Sequence, residues 1–196
     1  PSVSPVLKDL REATGDSHRA LEARMPFMSA DLDAALYRRL IQAYYGFYQP
    51  LEQRLQAAGA LEADRRKVPA LLQDLQALGI DSHSLERCHD LPDVDDPWHL
   101  LGVMYVIEGA TLGGQVLRRV IGERLGIGAD SGGAFLDVYG PATGTLWKAF
   151  LKRLWDAVTD AQRQQVVAGA HSTFLCFQRW LEQAGVLAGL AETAEA

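Results

Sequence analysis

The sequence predicts an all-α, single-domain protein, and three observations carry that prediction. Apolar residues recur about every 3.6 positions through most of the 196-residue chain, and no convincing apolar–polar alternation of a half-buried strand occurs. Two helix starts are spelled by a capping residue followed by proline, Ser4-Pro5 and Asp96-Pro97. Proline's fixed φ suits the first helical position, where its missing N–H costs nothing. The stretch from Trp98 to Gly126 is long enough for about eight turns of helix. With 48% hydrophobic residues the chain can fill one substantial core.

Each element has its own signal. After Ser4-Pro5, the residues Leu7, Leu10, Thr14, His18 and Leu21 follow one face until Met25-Pro26. A second helix is predicted from near Ser29, carrying Leu36, Leu40, Tyr44, Phe47 and Leu51, with a kink at Pro50. "VPALLQDLQALG" reads as a third, ending at Gly79, because a left-handed C′ residue is cheapest as glycine. Residues 80–95, rich in Asp, His and Pro, read as a loop before Asp96-Pro97 opens the long helix. A Gly-rich linker over 126–144 precedes "TLWKAFLKRLWDAV". Thr159 and Gln162 then spell a capping box for a last helix reaching about Gln183. One domain takes residues 1–196, with 1–4 and 185–196 expected to be flexible tails.

Composition excludes several classes. A net charge of -6 without a long basic run argues against nucleic acid as partner. Cys88 and Cys176 belong to no CxxC pair or zinc spacing, which suits a reducing, cytoplasmic setting. No cleavable apolar N-terminal region and no uninterrupted apolar run of about 18 residues is present, so neither export nor membrane insertion is expected. Glu86-Arg-Cys-His89 has the ExxH form of di-iron helical proteins, which need two such motifs and two further glutamates. It is followed at once by "DLPDVDDP" and reads as a surface turn. His83, His89 and His99 match no zinc pattern, and His171 reads as core packing. No phosphate loop follows a strand and no nucleophile elbow appears.

Two stretches carry chemistry. "EGATLGGQVL" places Gly109, Gly113 and Gly114 inside the long helix, where each glycine costs about 1 kcal/mol relative to alanine. Gly109 and Gly113 share a face, leaving a strip without side chains. Such a strip serves either close helix packing or the approach of a flat ligand to the backbone. In "LREATGDSHRALE", His18 falls on the apolar stripe and is expected to point inward, as a buried imidazole bonded to a neighbour or as a ligand of metal or heme iron. Glu22, one turn on, is placed to hold the other ring nitrogen. Arg11 lies roughly 10 Å back along the axis, about the span from a heme centre to its propionates.

On "LREATGDSHRALE" and "YVIEGATLGGQVLRR", with "WKAFLKRLW" and "HSTFLCF" in the same order, the chain resembles the heme oxygenases over most of residues 5–180. The resemblance implies heme between a proximal helix and a kinked distal helix, with His18 as the iron ligand and Gly109, Gly113 and Gly114 on the distal side. It implies that heme is both substrate and cofactor, cleaved by O2 and external electrons to biliverdin in the α-meso form, CO and ferrous iron. Arg11, Lys148 and Lys152 correspond to the basic residues that meet the propionates, and Phe174 to an aromatic near the heme. The lysines also read as a solvated face, and Phe174 as core. Two departures stand out: Ala110 replaces an Asp that orders proton-delivering water, leaving Thr111 or backbone to anchor it, and Met104 replaces a tyrosine at the propionate edge, beside Tyr105. A ferredoxin- or flavodoxin-like donor, or ascorbate in vitro, is the expected electron source, steered by Arg118, Arg119, Lys152 and Arg153. A bacteriophytochrome is the suggested biliverdin acceptor, and a carrier or sensor that keeps its heme is the alternative.

Overall fold

The computed structural model describes residues 5–189, and no strand occurs among them. The helices are α1 (Pro5–Arg24), α2 (Ala34–Ala57), α3 (Val68–Ala77), α4 (Pro97–Leu125), α5 (Thr143–Ala157) and α6 (Arg163–Gln183). The Ser4 cap lies outside the described residues. Asp96 caps α4 as its sequence spells, its carboxylate accepting from the N–H groups of Trp98 and His99. Gly79 follows α3 with a φ of 71°, the left-handed turn that only glycine enters freely.

Three boundaries differ from expectation. The second helix starts at Ala34, because Asp33 accepts from Leu36 N at 2.8 Å, while the Ser29 hydroxyl accepts from Asp31 N in a tight turn. The Thr159–Gln162 pairing forms, yet α-helical geometry begins only at Arg163. The chain after Gly185 is not a free tail as far as it is described: Val186 is buried, and Ala188 N donates to Arg24 O at 2.8 Å.

The core is built around α2, where Tyr37, Leu40, Ile41, Phe47, Leu51 and Leu55 are all buried. α4 packs most extensively on α6, and α1 also lies along α6. Backbone contact makes the α4–α6 crossing close. An ideal Cβ on Gly102 would stand 1.9 Å from Val166 O, and one on Gly169 would stand 1.9 Å from His99 O. α4 is long and apolar enough to cross a membrane by length and composition, but half of that stretch is buried inside the fold, as in a core helix.

The linker 126–144 is an ordered series of short turns, Ala129–Gly133, Phe135–Asp137 and Gly140–Ala142. Buried Asp74 on α3 holds it, accepting from Ala134 N at 2.7 Å and Phe135 N at 2.9 Å, and the Tyr37 hydroxyl donates to Gly132 O. Burial pushes the Asp74 carboxyl upward, against these two donors.

Candidate active site

The α1 face presents His18 differently from the stripe reading. Its side chain is 55% exposed, whereas Thr14 and Leu21 are buried. The reason is angular: at 100° per residue His18 stands about 40° from Thr14 and about 60° from Leu21, on the flank of the apolar stripe. Glu22 Oε1 lies 3.1 Å from His18 Nε2, so the glutamate engages one ring nitrogen and the other is the open donor. The Phe174 ring on α6, half-buried, has its centroid 5.6 Å from the imidazole.

On α4 the row Tyr105, Gly109, Gly113 repeats every four residues and so follows one face. Burial raises the Tyr105 phenol, and the Arg11 guanidinium opposes this, placing the two within electrostatic reach across the gap between α1 and α4. Tyr105 leans on Trp147 of α5 at 5.7 Å. Met104 beside it is buried. Arg11, Lys148 and Lys152 are exposed, and Lys152 pairs with Asp156.

The glycine cluster divides into two uses. Gly113 is exposed and an added Cβ would meet nothing within 4 Å, while at Gly109 it would only touch the Trp147 ring at 3.4 Å. Gly114 is buried, and its Cβ would stand 2.5 Å from Leu136 O. Gly114 therefore lets the turn 135–137 close on α4. Thr111 is buried and donates its hydroxyl to Glu108 O at 2.6 Å.

Behind the glycines lies a group that the sequence reading missed. Glu108, fully buried, receives Arg65 Nη1 at 2.9 Å, Lys67 Nζ at 3.1 Å and the Tyr139 hydroxyl at 2.9 Å. Lys67 Nζ also donates to Tyr139 Oη at 2.9 Å and Arg65 O at 3.1 Å. The signal available was a lone glutamate between Ile107 and Gly109 in an apolar run, since glutamate is almost never buried unpaired. Nearby Glu52 accepts from the backbone N–H groups of Lys67 and Val68, and burial raises its carboxyl against those donors.

Burial lowers the Lys67 ammonium from its ordinary 10.5, with Glu108 pulling the other way. Between the folded value and 10.5 the unfolded chain binds more protons, so stability rises with pH across that window. Lys67→Met should flatten this alkaline rise in a plot of Tm against pH.

A groove of about 750 Å³ runs between α1 and α6 past Glu12, Ala13, Gln164 and Ala168, and does not include His18. His171 lines it and is exposed, so the expected core packing does not hold: its α6 face turns towards the groove. Of the proposed basic rim, Arg118 is occupied locally, with Gln115 Oε1 at 3.1 Å and Asp137 Oδ1 at 3.7 Å.

The residues present fit heme in kind: an imidazole with one nitrogen held by a carboxylate, an aromatic ring beside it, a helix face bare of side chains, and exposed cations on α1 and α5 for carboxylates. A heme oxygenase family model matches residues 4–183. A heme oxygenase of Xanthomonas campestris pv. campestris is 34% identical over 98 residues, half of this chain and 57% of that protein. The fold is similar to the heme oxygenase of Leptospira interrogans, with a TM-score of 0.74 at 23% identity over 91% of this chain and 98% of that one. It is equally similar to the heme oxygenase of Neisseria meningitidis, with a TM-score of 0.74 at 20% identity over all of this chain and 98% of that one. The heme complex of a Synechocystis heme oxygenase gives a TM-score of 0.72 at 17% identity, covering 91% of each chain. Matched over nearly its whole length by a single family model, the chain belongs to the heme oxygenase family.

Proposed function

We propose that the protein is a heme oxygenase, which binds heme through His18 and converts it with O2 and external electrons to biliverdin, CO and ferrous iron. The observation that carries this reading is His18, one nitrogen engaged by Glu22 and the other open, on a helix that shares α5 and α6 as neighbours with the bare row of α4. Heme, when bound, supplies both the iron that activates oxygen and the porphyrin that is cleaved.

The chain's own residues do the rest. Glu22 fixes the imidazole's orientation and tautomer. Gly109 and Gly113 keep side chains away from the distal face, leaving space for O2 and none for the acid–base group that a peroxidase needs. Arg11, Lys148 and Lys152 offer charge to the propionates, and Phe174 packs beside the imidazole. Tyr105, half-buried against Trp147, stands beside Met104, and the α-meso product rests on the resemblance. A ferredoxin- or flavodoxin-type donor, a bacteriophytochrome as biliverdin acceptor and a cytoplasmic setting belong to the same reading and rest on the resemblance.

The test is an absorption spectrum of the protein with hemin, followed after ascorbate is added in air. The Soret band should form and then decay into the broad red absorption of biliverdin, and His18→Ala should lose the band. Ala110, which offers no carboxylate to order water, favours a second reading in which the protein carries or senses heme. A Soret band that persists under ascorbate and air would establish it.

A further inference from the structure

The turns from Gly132 to Tyr139 run as a strap over the side of α4 that faces away from the bare row. At 100° per residue, Glu108, Gly114 and Gln115 centre roughly 170° around the helix from Gly109 and Gly113. All three meet the strap. Leu136 O stands 2.5 Å from the place a Cβ on Gly114 would take, Gln115 Nε2 donates to Asp137 Oδ1 at 2.6 Å, and the Tyr139 hydroxyl donates to Glu108 at 2.9 Å. The strap hangs in turn on two fully buried side chains of other helices. Asp74 of α3 accepts from Ala134 N at 2.7 Å and Phe135 N at 2.9 Å, and the Tyr37 hydroxyl of α2 donates to Gly132 O at 2.6 Å. Among the described residues no cation is bonded to Asp74, so its burial is costly, and these two backbone donors are what offsets that cost.

We propose that Asp74 and Tyr37, acting through this strap, set how closely the Gly109–Gly113 backbone stands to the heme, and are positioning residues for its cleavage. The proposal rests on the heme oxygenase reading for what the row faces, and it adds residues remote from the row. Neither side chain touches a reacting atom. Their leverage comes from the row's lack of side chains. A displaced helix elsewhere can regain a contact by changing a rotamer, whereas two glycines have none to change. The place of the α4 backbone is therefore the only thing that sets the gap, and a misplacement near 1 Å can cost about a hundredfold in rate.

Asp74→Asn keeps the size of the side chain but turns an NH2 group towards one of the two backbone donors, so one end of the strap is released. Tyr37→Phe removes the other bond and nothing else. Leu181→Ala, in the last turn of α6 and fully buried, serves as a control that loses stability without touching the strap.

The experiment measures amide hydrogen exchange without hemin, then the C–O stretching band of the carbon monoxide complex with reduced hemin, hemin affinity and ascorbate-driven turnover. In Asp74→Asn and Tyr37→Phe, exchange should quicken between Glu108 and Gln115 but not in α1 or α6. The C–O band should shift or broaden, and turnover should fall on the order of tenfold or more, while hemin affinity, set by His18 on α1, is kept. Leu181→Ala should leave the band in place. Exchange that rises equally in all helices, or a C–O band unmoved in both strap variants, overturns the proposal, because Asp74 and Tyr37 would then serve stability alone. Tyr37→Phe removes a single oxygen, so it decides the matter even if Asp74→Asn does not fold. Failure of the wild type to bind hemin is seen apart from the exchange result and would remove the heme oxygenase reading itself, and the proposal with it.

Discussion

Alanine at Gly102 or Gly169 should destabilise the protein by about 3 kcal/mol or more, the upper end of overpacking costs, whereas alanine at Gly113 should leave it as stable or up to about 1 kcal/mol more stable. The difference follows from what the new methyl group meets. At Gly102 and Gly169 it meets the carbonyl oxygens of Val166 and His99 at 1.9 Å, and backbone held in two packed helices cannot swing aside like a flexible side chain. The helices must separate, which opens voids along the most extensive contact in the fold. At Gly113 the methyl group meets nothing within 4 Å, so only the gain in helix propensity remains. Urea unfolding of the three variants checks both halves. A Gly102→Ala protein as stable as the wild type would mean that the α4–α6 crossing is looser than described. The same Gly113→Ala variant should bind hemin more weakly or turn it over more slowly, since its added carbon stands on the distal row; unchanged behaviour would remove Gly113 from the site.

Removal of the Glu108 carboxylate is the second large effect. Glu108→Ala should cost about 3–5 kcal/mol, the usual result of breaking a buried ion pair from one side. Lys67 would be left with its ammonium buried against Arg65 and Tyr139 alone, and the Tyr139 hydroxyl would lose its acceptor. Arg65 is less affected, because its side chain is partly exposed and also bonds Leu146 O. Removing both charges together should cost much less, since apolar groups of similar volume commonly replace a buried pair without loss. The Glu108→Leu, Lys67→Met double variant is therefore expected to recover much of the stability lost in either single one, a non-additivity that a double-mutant cycle measures. Additive losses would show that Glu108 and Lys67 do not stabilise each other.

The cluster also shows where reading by residue type stops. "RRK" at 65–67 looks like a solvated basic run, and two of its three members turn inward to a glutamate more than forty residues away. Nothing within a helical period links Arg65, Lys67, Glu108 and Tyr139. Their meeting depends on α3, α4 and the linker 126–144 being stacked. Lys152 and Arg118, both of the expected docking rim, stand within ion-pair distance of Asp156 and Asp137.

What the sequence determined by itself is local: the helix count, the Asp96-Pro97 start, the left-handed stop at Gly79, the Glu22 contact one turn from His18, and the bare row of Gly109 and Gly113. These are set by hydrogen bonds and side-chain geometry within about one turn of helix, which spacing along the chain encodes. The tertiary structure alone decided that Gly102 and Gly169 carry the helix crossing, that Gly114 seats Leu136, that His18 stands at the flank of its stripe, and that a buried charge cluster backs the distal helix. Those outcomes depend on which backbone or carboxylate arrives from a distant segment, and periodicity within one helix holds no record of its neighbour.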